Sequence, residues 1–292
     1  MTFLQFNELF PTEDEVIRYF INIRYDEVIC PHCKSHKVYR RHDQPKVFTC
    51  KNCNNSFSIF KGTILEKTST DLRKWFYSIN LFMNAKKGVS ACQLQREVGV
   101  TYKTAWRILK QIRMAMGNEH IRKFVNTIIE MDETYVGGKP RKSGMNKRGR
   151  GTNKTPVIGA VDRNNKQIHC RVALPNEESK ALSSKQLLSV LENVCKRQNI
   201  VITDEFRGYN ILEYTQHFHY VINHSAGEYS DKNGVHTNNI EGFWATLKRG
   251  IIGIYHHISV KYLQNYVNEF CFRYNNRNRN MFDITLKQSV LV

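Results

Sequence analysis

The sequence has no run of about 18 uninterrupted apolar residues, the length that a membrane-spanning helix requires. Its first residues, Met1 to Gln5, lack the basic start and the apolar run of a secretory signal. We therefore expect a cytoplasmic protein with no membrane partner, in a compartment where thiols stay reduced.

Acidic residues are few: 26 Asp and Glu stand against 44 Lys and Arg, which leaves a formal net charge of +18. A field of this sign attracts polyanions, of which a phosphate backbone is the commonest large example. Loose binding to ribosomes or membranes is the alternative. Charge alone suggests a polyanionic partner and does not identify a function.

The hydrophobic share of 41% and the charged share of 24% are typical of a folded protein. The patterns predict an N-terminal helix within residues 1–25, capped by Thr12, and a cysteine-rich unit over 26–62. A helical module follows over 70–118. Alternating strand-like and helix-like runs over 124–292 predict an α/β domain.

Two Cys-x-x-Cys pairs, Cys30/Cys33 and Cys50/Cys53, flank 16 residues. Tetrahedral zinc needs four soft ligands, and each pair offers two thiolates from one tight turn. Disulfides do not suit a reducing compartment, and a redox motif needs one pair only. We expect a structural Zn²⁺ site, while the scattered cysteines are predicted to be packed small residues: Cys92, Cys170, Cys195 and Cys271.

Basic residues lie around and between the two cysteine pairs and suit contacts with phosphates: Lys34, Lys37, Arg40, Arg41 and Lys46. A purely structural or protein-binding ribbon is the alternative, and the sequence favours neither.

The module over 70–118 is predicted to hold three helices, with breaks at Gly88 and at Gly99. The outer face of the last helix shows Lys103, Arg107 and Lys110. This is the layout of a helix-turn-helix whose last helix enters the major groove. An ordinary helical hairpin with solvated lysines is the alternative.

Two acids fall within or at the end of apolar runs predicted to be strands, Asp132 and Asp204. Buried carboxylates are costly unless they are paired or bound to metal. Three carboxylates around two Mg²⁺ ions are the usual apparatus for phosphodiester chemistry. Downstream, Glu241 and Lys248 are two turns apart on one polar side of a predicted helix.

The stretch Gly137–Lys154 is basic and contains no acid. It could be a mobile loop that clamps DNA, and a solvated insertion is the alternative. Its basic residues are Lys139, Arg141, Lys142, Lys147, Arg148, Arg150 and Lys154.

Three longer motifs resemble a known family: Met131–Lys139, Thr203–Tyr209 and His236–Trp244. The chain is similar to insertion-sequence transposases with a zinc ribbon, a helix-turn-helix and a ribonuclease-H-like DDE domain, the bacterial relatives of Merlin-type transposons. The resemblance runs from about Phe10 to Arg277.

This resemblance implies a catalytic triad of Asp132, Asp204 and Glu241, which hold two Mg²⁺ (or Mn²⁺) ions, and it gives Lys248 a contact with the phosphate near the cut. It implies a ribonuclease-H-like fold, a mixed sheet flanked by helices. The partners would be transposon-end DNA with its inverted repeats and target DNA, bound by a homodimer or larger assembly associated with the nucleoid. A non-catalytic DNA-binding regulator and a nuclease that cuts without joining stay open as alternatives.

Overall fold

The computed structural model describes residues 1–118, 123–137, 154–173, 182–195, 198–222 and 236–290. The chain divides into two compact units, Met1–Glu119 with Asn278–Val292 and, separately, His120–Arg277. No helix in the described ranges combines the length and the apolar character that crossing a bilayer requires. Most of the predicted basic loop, including Arg141, Lys142, Lys147, Arg148 and Arg150, lies outside the described residues.

The described residues form helices and strands that we number in chain order. The helices are α1 (Phe3–Leu9), α2 (Glu13–Arg24), α3 (Leu72–Asn84), α4 (Ala91–Val98), α5 (Tyr102–Met116), α6 (Ser184–Val194), α7 (Asn238–Gly250), α8 (Val260–Asn275) and α9 (Met281–Ser289). The strands are β1 (Val38–Arg40), β2 (Val47–Cys50), β3 (Ser56–Ser58), β4 (Ile128–Val136), β5 (Thr155–Asp162), β6 (Gln167–Val172), β7 (Ile200–Asp204) and β8 (Phe218–Ile222).

Local signals set the helix starts of the first unit. The side chain of Thr12 accepts a hydrogen bond from the Glu15 N–H and caps α2, as predicted. Ser90 and Thr101 cap α4 and α5 in the same way. Between these two helices Gly99 adopts the left-handed conformation (φ 65°) that a side chain would make costly, which confirms the predicted turn.

The last helix, α9, belongs to the first unit, although the predicted catalytic domain ran to residue 292. The Thr285 hydroxyl lies 3.3 Å from the Met83 sulfur, and the Ile64 N–H donates to the Ser289 carbonyl over 3.2 Å. The Phe282 ring packs edge-on against Phe76. Residues of α9 thus pack into the same core as residues of the N-terminal helices.

Five strands of the described residues form the sheet of the second unit, in the order β6-β5-β4-β7-β8. The pairs β6·β5 and β5·β4 are antiparallel, whereas β4·β7 and β7·β8 are parallel. Three antiparallel strands followed by two parallel ones are the ribonuclease-H-like arrangement. The predicted α/β class and fold are therefore confirmed.

Each face of this sheet is covered by its own apolar cluster. On one face, α7 and α8 pack through Ile240, Trp244 and Phe270 against strand residues such as Val157. On the other face, α6 and the 3₁₀ segment Arg207–Tyr214 pack against strand residues such as Met131. Neighbouring residues of a strand point to opposite faces, so the face of each strand residue follows from its position.

Candidate active site and zinc centre

The four predicted zinc ligands lie together. The sulfur atoms of Cys30, Cys33, Cys50 and Cys53 are all within 4.8 Å of one another. Two matching turns hold them: the N–H of Lys34 donates to the Cys30 carbonyl, and the N–H of Asn54 donates to the Cys50 carbonyl, both over 3.0 Å.

The sulfur spacing suits zinc. Cys30 Sγ lies 3.7 Å from Cys53 Sγ, and Cys33 Sγ lies 3.5 Å from Cys50 Sγ. A tetrahedral ion with Zn–S bonds of about 2.3 Å needs sulfurs about 3.8 Å apart. Backbone N–H groups, first that of Cys53, lower the pKa of Cys50 to about 6, whereas burial and hydrogen bonds from the other cysteines raise the pKa of Cys33 despite the backbone N–H of Ser35. The cluster therefore fits a structural zinc ribbon.

Three of the basic residues around the ribbon are paired with acids of the same chain. Arg40 lies 2.6 Å from Asp14, and Lys46 lies 2.6 Å from Glu13, both acids being on α2. Arg41 contacts Asp43 in its own hairpin. The first two pairs attach the ribbon to α2, so they favour the structural role over the phosphate-binding one that the sequence left equally open.

The strand register brings two of the predicted catalytic acids side by side. The parallel ladder of β4 and β7 pairs Ile128 with Ile200 and Glu130 with Ile202. The ladder ends there, and Asp132 and Asp204 each lie two residues further along their strands, where the charge of Asp204 acts on the pKa of Asp132. Parallel neighbours in register share one face of the sheet.

Burial, together with the negative charges of Glu133 and Asp204, raises the pKa of Asp132 to about 8. Two hydrogen bonds fix its carboxylate: Trp244 Nε1 donates to Oδ2 over 3.0 Å, and the Glu133 N–H donates to Oδ1 over 2.8 Å. Burial and these neighbouring charges disfavour the ionised form of Asp132, and a bound cation would favour it.

A glycine lets the indole of Trp244 reach Asp132. Gly159 on β5 is the partner of Asp132 across the ladder. A Cβ added at Gly159 would lie 2.7 Å from Trp244 Cζ2 and 3.0 Å from Ile240 Cδ1. The missing side chain is thus what allows α7 to approach the sheet at this point.

Glu241 lies on α7, one turn before Trp244, and is exposed. Its Oε1 accepts a hydrogen bond from the Thr237 hydroxyl over 2.8 Å. Lys248 is exposed two turns further along the same helix, as predicted. Within the described ranges, the four cysteines are the one group of three or more potential metal ligands whose ligand atoms all lie within 4.8 Å of one another. The carboxylate oxygens of Asp132, Asp204 and Glu241 are therefore not all within that distance of one another.

The outer face of α5 carries the three basic residues predicted to contact DNA. Lys103 and Arg107 are exposed, while Lys110 lies over the ring of Trp106 at 5.7 Å. Tyr102, at the start of the helix, is half exposed. This face is both basic and aromatic, in contrast to the opposite side of α5, which is buried.

Sequence reasoning missed a fully buried acid, Glu130, two residues before Asp132. It pairs with Arg163, whose Nε lies 2.6 Å from Oε1. It also missed Tyr209, which is fully buried and whose hydroxyl donates to Glu133 over 3.2 Å on the other side of the sheet. The two-residue period of a strand was the available signal for Glu130, since an acid at that spacing shares the face of Asp132.

Two family models match the chain. The model of the ISXO2-like transposase domain matches residues 124–275. The model of the transposase zinc-ribbon domain matches residues 11–56, so it includes α2 along with the cysteine cluster.

Curated relatives are similar to the chain over different lengths. A protein of Halobacterium salinarum, described as an uncharacterized protein in transposable element ISH50, is 29% identical over 282 residues, which are 90% of this chain and 91% of the relative. An uncharacterized transposase-like protein of Haemophilus influenzae is 31% identical over 105 residues, 36% of this chain and 79% of its own length.

Two solved structures align at low TM-scores. The Mos1 strand transfer complex has a TM-score of 0.30 and 12% identity, with 69% of this chain and 74% of that chain covered. The simian T-cell lymphotropic virus intasome in complex with PP2A regulatory subunit B56 gamma has a TM-score of 0.31 and 15% identity, with 65% and 66% covered.

Proposed function

The chain belongs to the ISXO2-like transposase family, and on that premise we propose that it binds transposon terminal inverted repeats, cuts the DNA there and joins the freed ends to target DNA. Asp132, Asp204 and Glu241 form the catalytic triad. The observation that supports this proposal is the parallel β4·β7 ladder, which ends two residues before Asp132 and two residues before Asp204, on the neighbouring strands that carry them.

The donor set suits Mg²⁺ or Mn²⁺, because carboxylate oxygens are the ligands that these ions prefer. The raised pKa of Asp132 supports a cation here, since a positive charge would offset both the cost of burying the carboxylate and the repulsion from Glu133 and Asp204. Two bound ions would activate the attacking oxygen and stabilise the leaving oxygen of an in-line displacement. Asp132, Asp204 and Glu241 are the residues that would hold these ions.

The remaining side chains orient this centre. Trp244 holds one oxygen of Asp132 by its indole N–H and leaves the carboxylate facing α7. Lys248 is exposed two turns after Glu241 and would contact the phosphate beside the cut. The same centre serves cleavage and joining, because both steps displace an oxygen at phosphorus in line.

DNA binding is assigned to the helix-turn-helix formed by α4 and α5. Lys103, Arg107 and Lys110 on α5 would contact the inverted repeat, and the net charge of +18 supports a polyanionic partner. The basic loop supplies further expected phosphate contacts: Arg141, Lys142, Lys147, Arg148 and Arg150. Two ends must be processed together, so we expect a homodimer or larger assembly on DNA.

The test is an assay with Mg²⁺, labelled DNA that carries a transposon end, and a plasmid target. Asp132→Ala, Asp204→Ala and Glu241→Ala should each lower cleavage by at least about a thousand-fold while binding to the labelled end persists. Glu192→Ala, an exposed acid of α6 on the opposite face of the sheet, is the matched control and should cut normally.

Two outcomes would replace the proposal. If the triad variants and the native chain bind the end equally well and none of them cuts, the chain is a DNA-binding regulator. If the native chain cuts without forming strand-transfer product, it is a nuclease.

A further inference from the structure

Glu130 is the one acid of β4 that is completely buried, and its hydrogen bonds run to the start of α7 and to Arg163. Its Oε2 accepts hydrogen bonds from the N–H groups of Asn239 (2.9 Å) and Ile240 (3.1 Å). Its Oε1 accepts from the Asn239 side chain (2.7 Å) and from Arg163 Nε (2.6 Å).

These bonds do the work of a helix cap. The first N–H groups of a helix have no partner within the helix. Thr237, the N-cap residue of α7, makes no side-chain capping bond, and its hydroxyl donates to Glu241 instead. Glu130 supplies the acceptor from another element, and its negative charge also suits the positive end of the helix dipole.

Arg163 completes the junction. Its side chain is mostly buried, and it neutralises Glu130, which would otherwise be an uncompensated charge in the core. A second nitrogen of the same guanidinium donates to the carbonyl of His236, one residue before the helix cap. Arg163 therefore binds both the acid and the chain that leads into α7.

The hydrogen bonds between Glu130 and α7 lie close along the chain to two members of the triad, Asp132 and Glu241. Glu130 is two residues before Asp132 on β4, and Asn239 is two residues before Glu241 on α7. A shift of α7 along the sheet would move Glu241 and would also pull Trp244 away from Asp132.

We propose that Glu130, held by Arg163, is a positioning residue that sets the register of α7 against β4 and thereby the placement of Glu241 relative to Asp132. This inference rests on the proposed function for its catalytic consequence. Both oxygens of Glu130 are occupied by donors, so the residue orients the metal ligands without being one itself.

Glu130→Gln tests the proposal, because an amide cannot accept on both sides: it must release either the helix N–H groups or Arg163. We expect the Mg²⁺ or Mn²⁺ concentration for half-maximal cleavage to rise about 10- to 100-fold, with activity partly restored at high metal. We also expect faster hydrogen exchange in the peptide 236–250, measured by mass spectrometry without DNA or added metal. Asn239→Ala, an exposed position, should shift both readouts in the same direction by less.

Glu269→Gln is the matched control. Glu269 on α8 is as buried as Glu130 and pairs with Arg273 of the same helix. Its carboxylate also accepts a hydrogen bond from the Tyr255 hydroxyl. Its loss should lower stability without changing the metal requirement. In addition, Glu130→Gln combined with Arg163→Met should need no more metal than the worse of the two single variants, because the pair acts as one unit.

The proposal is overturned if Glu130→Gln and Asn239→Ala keep the native metal requirement, or if exchange in 236–250 is unchanged. Failure of the proposed function looks different: the native chain itself would not cut, while the exchange measurement would still report whether Glu130 caps α7.

Discussion

The four cysteines come from two short turns within residues 30–53, whereas Asp132, Asp204 and Glu241 come from two strands and a helix that are far apart along the chain. The cysteine sulfurs already lie within 4.8 Å of one another, held by backbone bonds inside each turn. The acids depend on a sheet register, on Trp244 and on the junction at Glu130.

The difference reflects the charge of the ligands. Thiols can share protons when no metal is bound, so they can pack closely at little cost. Carboxylates repel one another, and here the repulsion adds to burial in raising the pKa of Asp132 to about 8. A zinc ribbon can therefore be built from local turns, while an acidic centre needs a rigid scaffold that holds like charges near each other.

The largest effect is expected from removing the zinc, which tests whether the metal stabilises the ribbon alone. Removing zinc with a strong chelator, or substituting Cys50→Ser, should unfold the ribbon, because the metal supplies about 10 kcal/mol of folding free energy in such small domains. Limited proteolysis should then cut within 26–62 while the fragment over 124–277 resists. Cys92→Ser, an exposed cysteine of α4, is the control. If residues 124–277 also became sensitive to the protease, the zinc would stabilise more than the ribbon, and the contrast between the two sites would be wrong.

A smaller effect is expected from pH, which should change the free energy of unfolding through the protonation of Asp132. Folded Asp132 keeps its proton up to about pH 8, whereas an unfolded Asp releases it near pH 4. Between these values the folded state binds more protons, so the free energy of unfolding should fall as pH rises, by an amount on the order of a few kcal/mol.

The measurement is urea unfolding of the native chain and of Asp132→Asn from pH 4 to 8 without added Mg²⁺. The difference between their free energies of unfolding isolates this group, because the Asn variant lacks the titration. Equal slopes for the two chains would show that burial and the neighbouring charges do not raise the pKa of Asp132. Added Mg²⁺ should stabilise the native chain more at pH 8 than at pH 5.

The smallest expected effect concerns the fit of α7 on the sheet. Gly159→Ala should displace the indole of Trp244, cost about 1–3 kcal/mol by overpacking and weaken the bond to Asp132. Gly242→Ala, beside Glu241 on the same helix, meets open space and should leave stability equal or slightly higher. Thermal unfolding of both variants, alongside the cleavage assay, separates the two cases. Similar behaviour of the two alanine variants would contradict the role given to Gly159.

Much of the first unit could be predicted from the sequence. The helix cap at Thr12, the turn at Gly99 and the spacing of the four cysteines are local signals, and each is confirmed. Local signals suffice where the partners are close along the chain, since the backbone geometry of a few residues decides the outcome.

Tertiary structure alone decided which distant groups meet. Nothing in the spacing of residues marks Glu130 as the cap of a helix more than 100 residues away, Gly159 as the gap for Trp244, or α9 as part of the first unit. Such contacts depend on sheet register and helix packing, which are set by the fit of whole faces and not by any short stretch of chain. The sequence alone determined which chemical groups are available, and the folded sheet determined which of them stand together.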